Sequence, residues 1–262
     1  MKALWLLTAL AVAGTQAVLM AAPQDAGTPP PPPPPAPAPV AEPGTPVQPP
    51  TRYDLRRAHA PAGDAQAGKA KAEVCAACHG AEGIAIAPMF PNLAGQRADY
   101  LYWSLHAYKS GRMPESPMTA MAASLEEQDI RDLSAYYAHL PVPPPPADAP
   151  PLEIDPALAA SGQGIYMNGE PAKGIPPCQG CHGSDARGNP LADQRDRSGR
   201  APYAAYPRLR GQQNDYLQAR LQQFHDDAID ASTNSRVMHG IGRQLDVDSI
   251  KAVSTWLSSL KE

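Results

Sequence analysis

Two pentapeptides of the same pattern limit what this chain can fold into. Residues 75–79 read Cys-Ala-Ala-Cys-His, and residues 178–182 read Cys-Gln-Gly-Cys-His. The chain has 4 cysteines, so all of them lie in these two segments. In a helical turn the first cysteine and the histidine, which are four positions apart, lie on the same face. The sequence therefore predicts two sites of one kind, each held by a short helix.

Cys-x-x-Cys-His is the attachment pattern of c-type haem. The two thiols form thioether bonds to haem, and the histidine ligates the iron. A structural zinc site would need four ligands that converge in one place, and a redox thiol pair has no need of the adjacent histidine. We therefore predict two covalently bound haem c groups, with these residues: Cys75, Cys78 and His79 for the first, and Cys178, Cys181 and His182 for the second.

Further matches indicate that one domain has been duplicated. Pro-x-Leu-x-Gly-Gln occurs at residues 91–96 and 207–212, and Asp-Tyr-Leu follows at 99–101 and 215–217. Near the end of each copy, apolar residues recur at spacings of three and four, which places them on one helical face. These residues are Ile130, Leu133, Tyr137 and Leu140 in the first copy and Ile250, Val253, Leu257 and Leu260 in the second. The repeat predicts an all-α fold of two tandem haem domains.

Local signals add two expectations. Ser124 and Glu127 have the spacing of a capping box, which predicts that the closing helix of the first domain starts at Ser124. The aromatic residues expected to pack in the haem domains are Tyr100, Trp103, Tyr136 and Trp256.

The second axial ligand of each iron is sought among the 8 methionines of the chain. Met238 is the one methionine that follows the haem motif of the second domain. Met118 precedes Leu125 by seven positions, as Met238 precedes Leu245, and this register favours Met118 over its neighbours Met113 and Met121. We therefore predict histidine–methionine ligation of both irons. The alternative ligands are His106, His139, His225 and His239.

Histidine–methionine ligation has two consequences. A thioether favours Fe(II), so it raises the haem potential into the range of respiratory carriers. It also fills both axial positions, which leaves the iron no vacant site for a substrate. The sequence therefore favours an electron carrier over an enzyme and predicts no catalytic residue.

Two proline-rich stretches organise the rest of the chain. Lys2 and the uncharged, mostly apolar run at 4–19 are typical of an export signal, with an uncleaved membrane anchor as the alternative. Many of the 33 prolines fall in 23–50 and 141–151, where they predict extended polyproline II segments. The predicted organisation is a signal peptide or anchor at 1–22, a disordered linker at 23–58, a first haem domain at 59–141, a second linker at 142–151 and a second haem domain at 152–262.

The ordered set of paired haem motifs, Pro-x-Leu-x-Gly-Gln segments and methionine-to-leucine registers resembles the cytochrome c4 family over residues 65–260. The resemblance implies two class I cytochrome c domains in the bacterial periplasm. It also implies electron transfer from a quinol-oxidising bc complex to a terminal haem-copper oxidase. A membrane tether through the N-terminal segment stays open. A net charge of −4 argues against a nucleic-acid partner.

Other functions stay open beside this one. A dihaem cytochrome subunit of a flavocytochrome sulfide dehydrogenase has a similar architecture. A dihaem peroxidase or thiosulfate-oxidising enzyme would need a haem without methionine. Residues 185–210 depart from the family pattern, with six arginines against three aspartates. We interpret them as a solvated loop, a docking patch for an acidic partner, or a source of arginine contacts to haem propionates.

Overall fold

The computed structural model describes residues 52–56, 58–144 and 153–261. The predicted signal or anchor segment, and most of each predicted proline-rich linker, lie outside these residues. Within the described ranges, none of the helices has both the length and the apolar character needed to cross a bilayer.

The described residues form α-helices and one short 3-10 helix, and beyond two isolated β-bridges they contain no strand. The first half holds α1 (Ala65–Lys71), α2 (Glu73–His79), α3 (Ala98–Lys109), α4 (Pro117–Ala123) and α5 (Glu127–His139). The second half holds α6 (Pro156–Asn168), the 3-10 helix (Pro171–Lys173), α7 (Gln179–His182), α8 (Asn214–His225), α9 (Thr233–Gly242) and α10 (Val247–Ser259). The all-α prediction is confirmed.

The same close helix crossing occurs in each half. Helix α1 packs on α5, and α6 packs on α10. A Cβ added at Gly68 of α1 would lie 2.0 Å from the carbonyl oxygen of Asp132, and one at Gly162 of α6 would lie 1.9 Å from that of Ala252. Because both crossings need a glycine at the point of contact, the duplication read from the sequence extends to the packing of the helices.

Replacing Gly162 by alanine is expected to destabilise the second domain by about 1–3 kcal/mol, because the new methyl group would overlap a backbone carbonyl. Gly164 lies on the same helix and has no neighbour within 4 Å of an added Cβ. Gly164→Ala is therefore the matched control, and it is expected to stabilise the helix by about 0.5–1 kcal/mol. Denaturant unfolding of the haem-loaded protein measures both effects. Equal losses of stability in the two variants would contradict the close crossing.

The closing helices α5 and α10 bury the apolar stripes that the sequence predicts. Three members of each stripe are at most 4 % exposed: Ile130, Leu133 and Tyr137 in α5, and Ile250, Val253 and Leu257 in α10. Tyr136 packs against the buried apolar cluster that contains Leu133 and Tyr137, and Trp256 belongs to the one that contains Ile250, Val253 and Leu257. The register that relates the two copies therefore holds in the folded chain.

The predicted capping box at Ser124 is wrong. Helix α5 is capped by Glu126, whose backbone N–H donates to the Asp129 carboxylate at 2.9 Å. The Ser124 hydroxyl instead donates to the Met121 carbonyl at 3.0 Å, at the end of α4. Acidic side chains accept from helix N-terminal N–H groups as serine does, so Glu126 offered a second start that the spacing could not exclude.

Asp132 is a buried carboxylate that ties α5 to the start of α1. Its oxygens accept from the backbone N–H of Asp64 at 2.8 Å, from Lys71 Nζ at 2.7 Å and from the Gln128 amide at 2.8 Å. The hydrogen bond from Lys71, followed by that from Asp64, lowers the pKa of Asp132 below its ordinary value of 3.8. A carboxyl with a lowered pKa stabilises the native state above the unfolded value and loses that effect as the pH falls through the native pKa.

Asp132→Asn is therefore expected to lower the thermal midpoint of the first domain at pH 7, and to approach the wild type as the pH falls below 3.8 and through the lowered native pKa of Asp132. The equivalent position of the second domain is Ala252, which has no carboxyl group, so that domain is the internal control. Thermal melts from pH 7 to pH 2, followed by circular dichroism, measure the difference. A midpoint loss that stays constant across this pH range would show that the effect does not depend on ionisation of Asp132.

The end of the predicted 23–58 linker packs on the folded chain. Tyr53 forms a parallel bridge, in which its N–H donates to the Ala231 carbonyl and its carbonyl accepts from the Thr233 N–H, both at 3.0 Å. Its ring lies 4.9 Å from that of Trp103, and Leu55 is only 4 % exposed. The two apolar side chains give this short segment a surface to bury, and it thereby touches both halves of the chain.

Candidate haem-binding sites

Each Cys-x-x-Cys-His motif lies on a short helix that ends at glycine. The first motif lies within α2, and in the second Cys178 is the N-cap of α7. The chain then turns at Gly80 (φ 72°) and Gly183 (φ 81°), where a Cβ would lie 2.0 Å from the Ile84 carbonyl oxygen and 2.2 Å from that of Gly188. Only glycine adopts this conformation and allows this approach at low cost. Both motifs therefore end in the same tight return of the backbone.

The two motif histidines are oriented in the same way. His79 and His182 are 5 % and 7 % exposed. Their Nδ1 atoms lie 2.9 Å from the Pro91 carbonyl oxygen and 3.0 Å from that of Pro207. A carbonyl oxygen can only accept, so Nδ1 carries the proton and Nε2 keeps a free lone pair. This is the arrangement by which proteins orient an iron-ligating histidine.

Burial also keeps both imidazoles neutral. Loss of hydration lowers the pKa of His79 and of His182 below the usual value of 6.5, against the smaller opposing effect of the hydrogen bond to proline. A metal ligand must be the neutral form, because the protonated ring has no lone pair to donate. The two histidines are thus ready to ligate at neutral pH.

The four cysteines fit thioether attachment better than the alternative chemistries. None of them forms a disulfide. Burial raises the pKa of the thiols of Cys75, Cys178 and Cys181, that of Cys178 to about 11. A redox-active pair needs a lowered pKa instead. Among the described residues, no group of three or more His, Cys, Asp or Glu side chains could hold a metal ion, so the chain does not assemble a zinc site there.

The structure describes the surroundings of both predicted methionine ligands and of the methionines near them. Met118 and Met238 are half-buried, on α4 and α9. Met113 and Met167 pack into apolar clusters, and Met121 is 36 % exposed. Because Met113 and Met167 are partly buried as well, burial does not single out Met118 and Met238, and their assignment as ligands stays a prediction from the repeat.

In each alternative histidine ligand one ring nitrogen lies close to an oxygen atom. His106 Nε2 lies 3.0 Å from a Glu127 oxygen, and His239 Nδ1 lies 2.8 Å from the Phe224 carbonyl oxygen. His139 Nδ1 and His225 Nδ1 contact the carbonyl oxygens of their neighbours at 2.7 Å and 3.2 Å. His239, the nearest rival of Met238, is turned toward helix α8 and the Asp227 carboxylate. In His139, His225 and His239 the contact runs through Nδ1 and leaves Nε2 free, as in His79 and His182, so methionine ligation stays a prediction.

Arg220 has an unusual environment that the sequence did not suggest. It lies on α8, its guanidinium lies 5.2 Å from the centre of the Tyr216 ring, and it donates to the Tyr108 hydroxyl at 2.9 Å. Its Nε and Nη1 atoms are buried without a partner among the described residues, as is Trp103 Nε1. Buried donors usually have an acceptor, so these three atoms are exceptions among the described residues. The first copy has Ser104 at the position equivalent to Arg220. This difference between the copies was the one sign in the sequence that Arg220 has a role of its own.

The arginines of residues 185–210 bind mainly to nearby backbone and carboxylate groups. Arg200 pairs with Asp196 at 2.6 Å, and Arg195 donates to the Gly199 carbonyl at 3.0 Å. Arg210 donates to the carbonyl oxygens of Asp185 and Lys261. These contacts account for three of the six arginines, and the segment also contains buried residues such as Ala186 and Ala192, so it is only partly a solvated loop.

The halves of the molecule thus present the same site twice. In each, a short helix carries two thiols beside a neutral, buried histidine whose orientation is fixed by a proline carbonyl. The fold and the sites together define a c-type cytochrome with two class I domains.

A family model described as cytochrome c matches residues 65–141 and 159–261. Cytochrome c4 from Thiocapsa roseopersicina is 39 % identical over 212 residues, which cover 80 % of this chain and 100 % of that protein. The chain therefore belongs to the cytochrome c4 family.

A solved structure supports the same family. The crystal structure of reduced recombinant cytochrome c4 from Pseudomonas stutzeri matches this chain with a TM-score of 0.63 and 33 % identity, over 76 % of this chain and 100 % of that one. A more distant relative, 30 % identical over 190 residues, is named thiosulfate dehydrogenase electron acceptor, from Thiomonas intermedia; the match covers 72 % of this chain and 79 % of that protein.

Family membership confirms several predictions. The chain is a dihaem c-type cytochrome, and its two Cys-x-x-Cys-His motifs hold two covalently bound haem c groups. It is an electron-transfer protein and not an enzyme. The tandem class I fold and the internal duplication are confirmed as well.

Proposed function

We propose that this chain is a periplasmic carrier that takes electrons from a quinol-oxidising bc complex and delivers them to a terminal haem-copper oxidase. The observation that carries the proposal is the pair of neutral, buried histidines, each with Nδ1 bound to a proline carbonyl at 2.9–3.0 Å and Nε2 left free. A rigid, fixed ligand needs little rearrangement when an electron arrives or leaves, which suits a carrier.

The proposal assigns the ligands as His79 with Met118 and His182 with Met238, and the thioether positions as Cys75, Cys78, Cys178 and Cys181. When bound, haem supplies a one-electron couple whose potential a methionine ligand raises. The chain itself supplies orientation, through Pro91 and Pro207, and exclusion of water, through burial of both histidines. The domain limits at 59–141 and 152–262 remain part of the proposal.

Rapid mixing tests the two proposed partners directly. Oxidised protein mixed with a bc complex and quinol is expected to be reduced at both haems, and reduced protein mixed with a haem-copper oxidase is expected to be reoxidised. Both reactions should be second order, with rate constants of about 10⁵–10⁷ M⁻¹ s⁻¹. The control omits the bc complex. Reduction at the same rate without that complex, or no reoxidation by the oxidase, would contradict the proposal.

The relative named thiosulfate dehydrogenase electron acceptor favours a second candidate. In that case the electrons would come from a thiosulfate-oxidising enzyme, and this chain would still be the carrier. The same mixing experiment with thiosulfate dehydrogenase and thiosulfate distinguishes the two sources. Faster reduction by that enzyme than by the bc complex would favour the second candidate.

Export is part of the proposal and rests on the apolar run at 4–19. Cell fractionation and N-terminal sequencing of the mature protein test it. A start near residue 22 indicates a cleaved signal, whereas an intact N-terminus in the membrane fraction indicates a tether.

A further inference from the structure

The repeated Pro-x-Leu-x-Gly-Gln motif joins the two haem domains through its glutamines. Gln96 and Gln212 are 5 % and 6 % exposed. Gln212 Oε1 accepts from the backbone N–H of Asn92 at 2.7 Å, and Gln212 Nε2 donates to the Asn92 carbonyl at 3.0 Å. Gln96 makes the same pair of bonds with Arg208, at 2.8 Å and 2.9 Å. Each glutamine thus binds the backbone of the opposite domain.

The residue bound by each glutamine directly follows the proline that orients the histidine. The Pro91 carbonyl, which accepts from His79, and the Asn92 N–H, which donates to Gln212, belong to one peptide group. In the second domain the Pro207 carbonyl accepts from His182, and the N–H of the same peptide group, that of Arg208, donates to Gln96 of the first domain. A chain of two hydrogen bonds through a single peptide therefore runs from each histidine to the glutamine of the other domain.

Hydrogen bonds that share a polarisable amide strengthen one another. When Gln212 accepts from the peptide N–H, the carbonyl oxygen at the other end becomes a better acceptor. A better acceptor draws the Nδ1 proton and makes the imidazole more basic. A more basic ligand stabilises Fe(III), so the bond at the domain interface should lower the potential of that haem.

We propose that Gln96 and Gln212 are positioning residues that tune the haem of the opposite domain: Gln212 acts on the haem ligated by His79, and Gln96 acts on the haem ligated by His182. This inference rests on the histidine ligation of the proposed function. It makes the domain interface an adjustable element of both redox centres.

Spectroelectrochemical titration of holoprotein variants tests the crossed effect. Gln212→Met is expected to raise the potential of the first-domain haem more than that of the second, and Gln96→Met is expected to do the reverse. Each variant is the other's matched partner, because the repeat makes their positions equivalent. The two redox waves are assigned with Met118→His and Met238→His, each of which displaces the wave of one haem.

Gln213→Leu is the control for a general change at the interface. Gln213 Nε2 contacts the Asn92 side chain at 3.3 Å but not the peptide group beside Pro91. The Gln213→Leu variant is expected to leave the potentials of both haems unchanged. Shifts confined to the variant's own domain, equal shifts of both waves, or no shift in either methionine variant would overturn the inference.

A second pair of variants covers the case in which methionine disrupts the interface. Gln212→Glu keeps the accepting oxygen and adds charge, so it is expected to lower the potential of the first-domain haem, with Gln213→Glu as the charge-matched control. Equal shifts from the two glutamates would overturn the inference. The near-red methionine band is recorded on every variant, and its presence for both haems alongside unchanged potentials would refute the tuning role without touching the proposed function.

Discussion

Replacing Met238 by alanine is expected to open the second haem to external ligands. The oxidised variant should lose one of two equivalents of the near-red band that arises from methionine bound to Fe(III). After reduction it should bind carbon monoxide at one haem, and the potential of that haem should fall because the soft thioether is gone. Met118→Ala should have the same effect on the first haem.

Methionines of the same domains provide the controls. Met167 packs against the core of the second domain and precedes its haem motif, and Met121 of the first domain is 36 % exposed. Met167→Ala and Met121→Ala should keep both equivalents of the band and should not bind carbon monoxide. A Met238→Ala protein that keeps both equivalents would show that another residue ligates the second iron.

Removing the first haem is expected to abolish cooperative unfolding of the first domain. In the described part of that domain, the main buried apolar cluster is small and consists of Ala72, Leu101, Leu133 and Tyr137. A domain with so small a core depends on its cofactor, because cofactor binding and folding are linked. The double variant Cys75→Ser/Cys78→Ser should therefore lose most of the helical signal of this domain and become sensitive to proteolysis there.

The second domain is the matched comparison. Its cluster is larger and includes Ile165, Tyr166, Ile175, Leu217, Trp256 and Leu257. Cys178→Ser/Cys181→Ser should destabilise that domain too, but should leave more residual helix than the first double variant. Circular dichroism and limited proteolysis measure both. A first domain that keeps an intact, cooperatively unfolding helical fold without haem would contradict the dependence.

The repeat in the sequence was sufficient to predict most of the fold. The haem motifs, the methionines and the apolar stripes of the closing helices follow one another in the same order in both copies, and the spacing within each motif is the same, so each copy checks the other. The start of α5 could not be predicted in the same way, because Ser124 and Glu126 are both acceptable caps and the choice depends on packing.

The interface could not be predicted from the sequence either. Gln96 and Gln212 were visible as repeated residues, but a repeat does not tell which glutamine faces which domain. Nothing in the sequence indicated that Arg220 lies against Tyr108 and Tyr216. In each case the missing information is the relative placement of two segments more than a hundred positions apart in the chain.

The visible spectrum of the purified wild-type protein tests the central claim most directly, which is that both irons are closed by histidine and methionine. The oxidised protein is scored for the near-red methionine band per haem, and carbon monoxide is added after reduction. Two equivalents of the band and no response to carbon monoxide are predicted. One equivalent, with carbon monoxide bound at the other haem, would contradict the claim and reveal an open site.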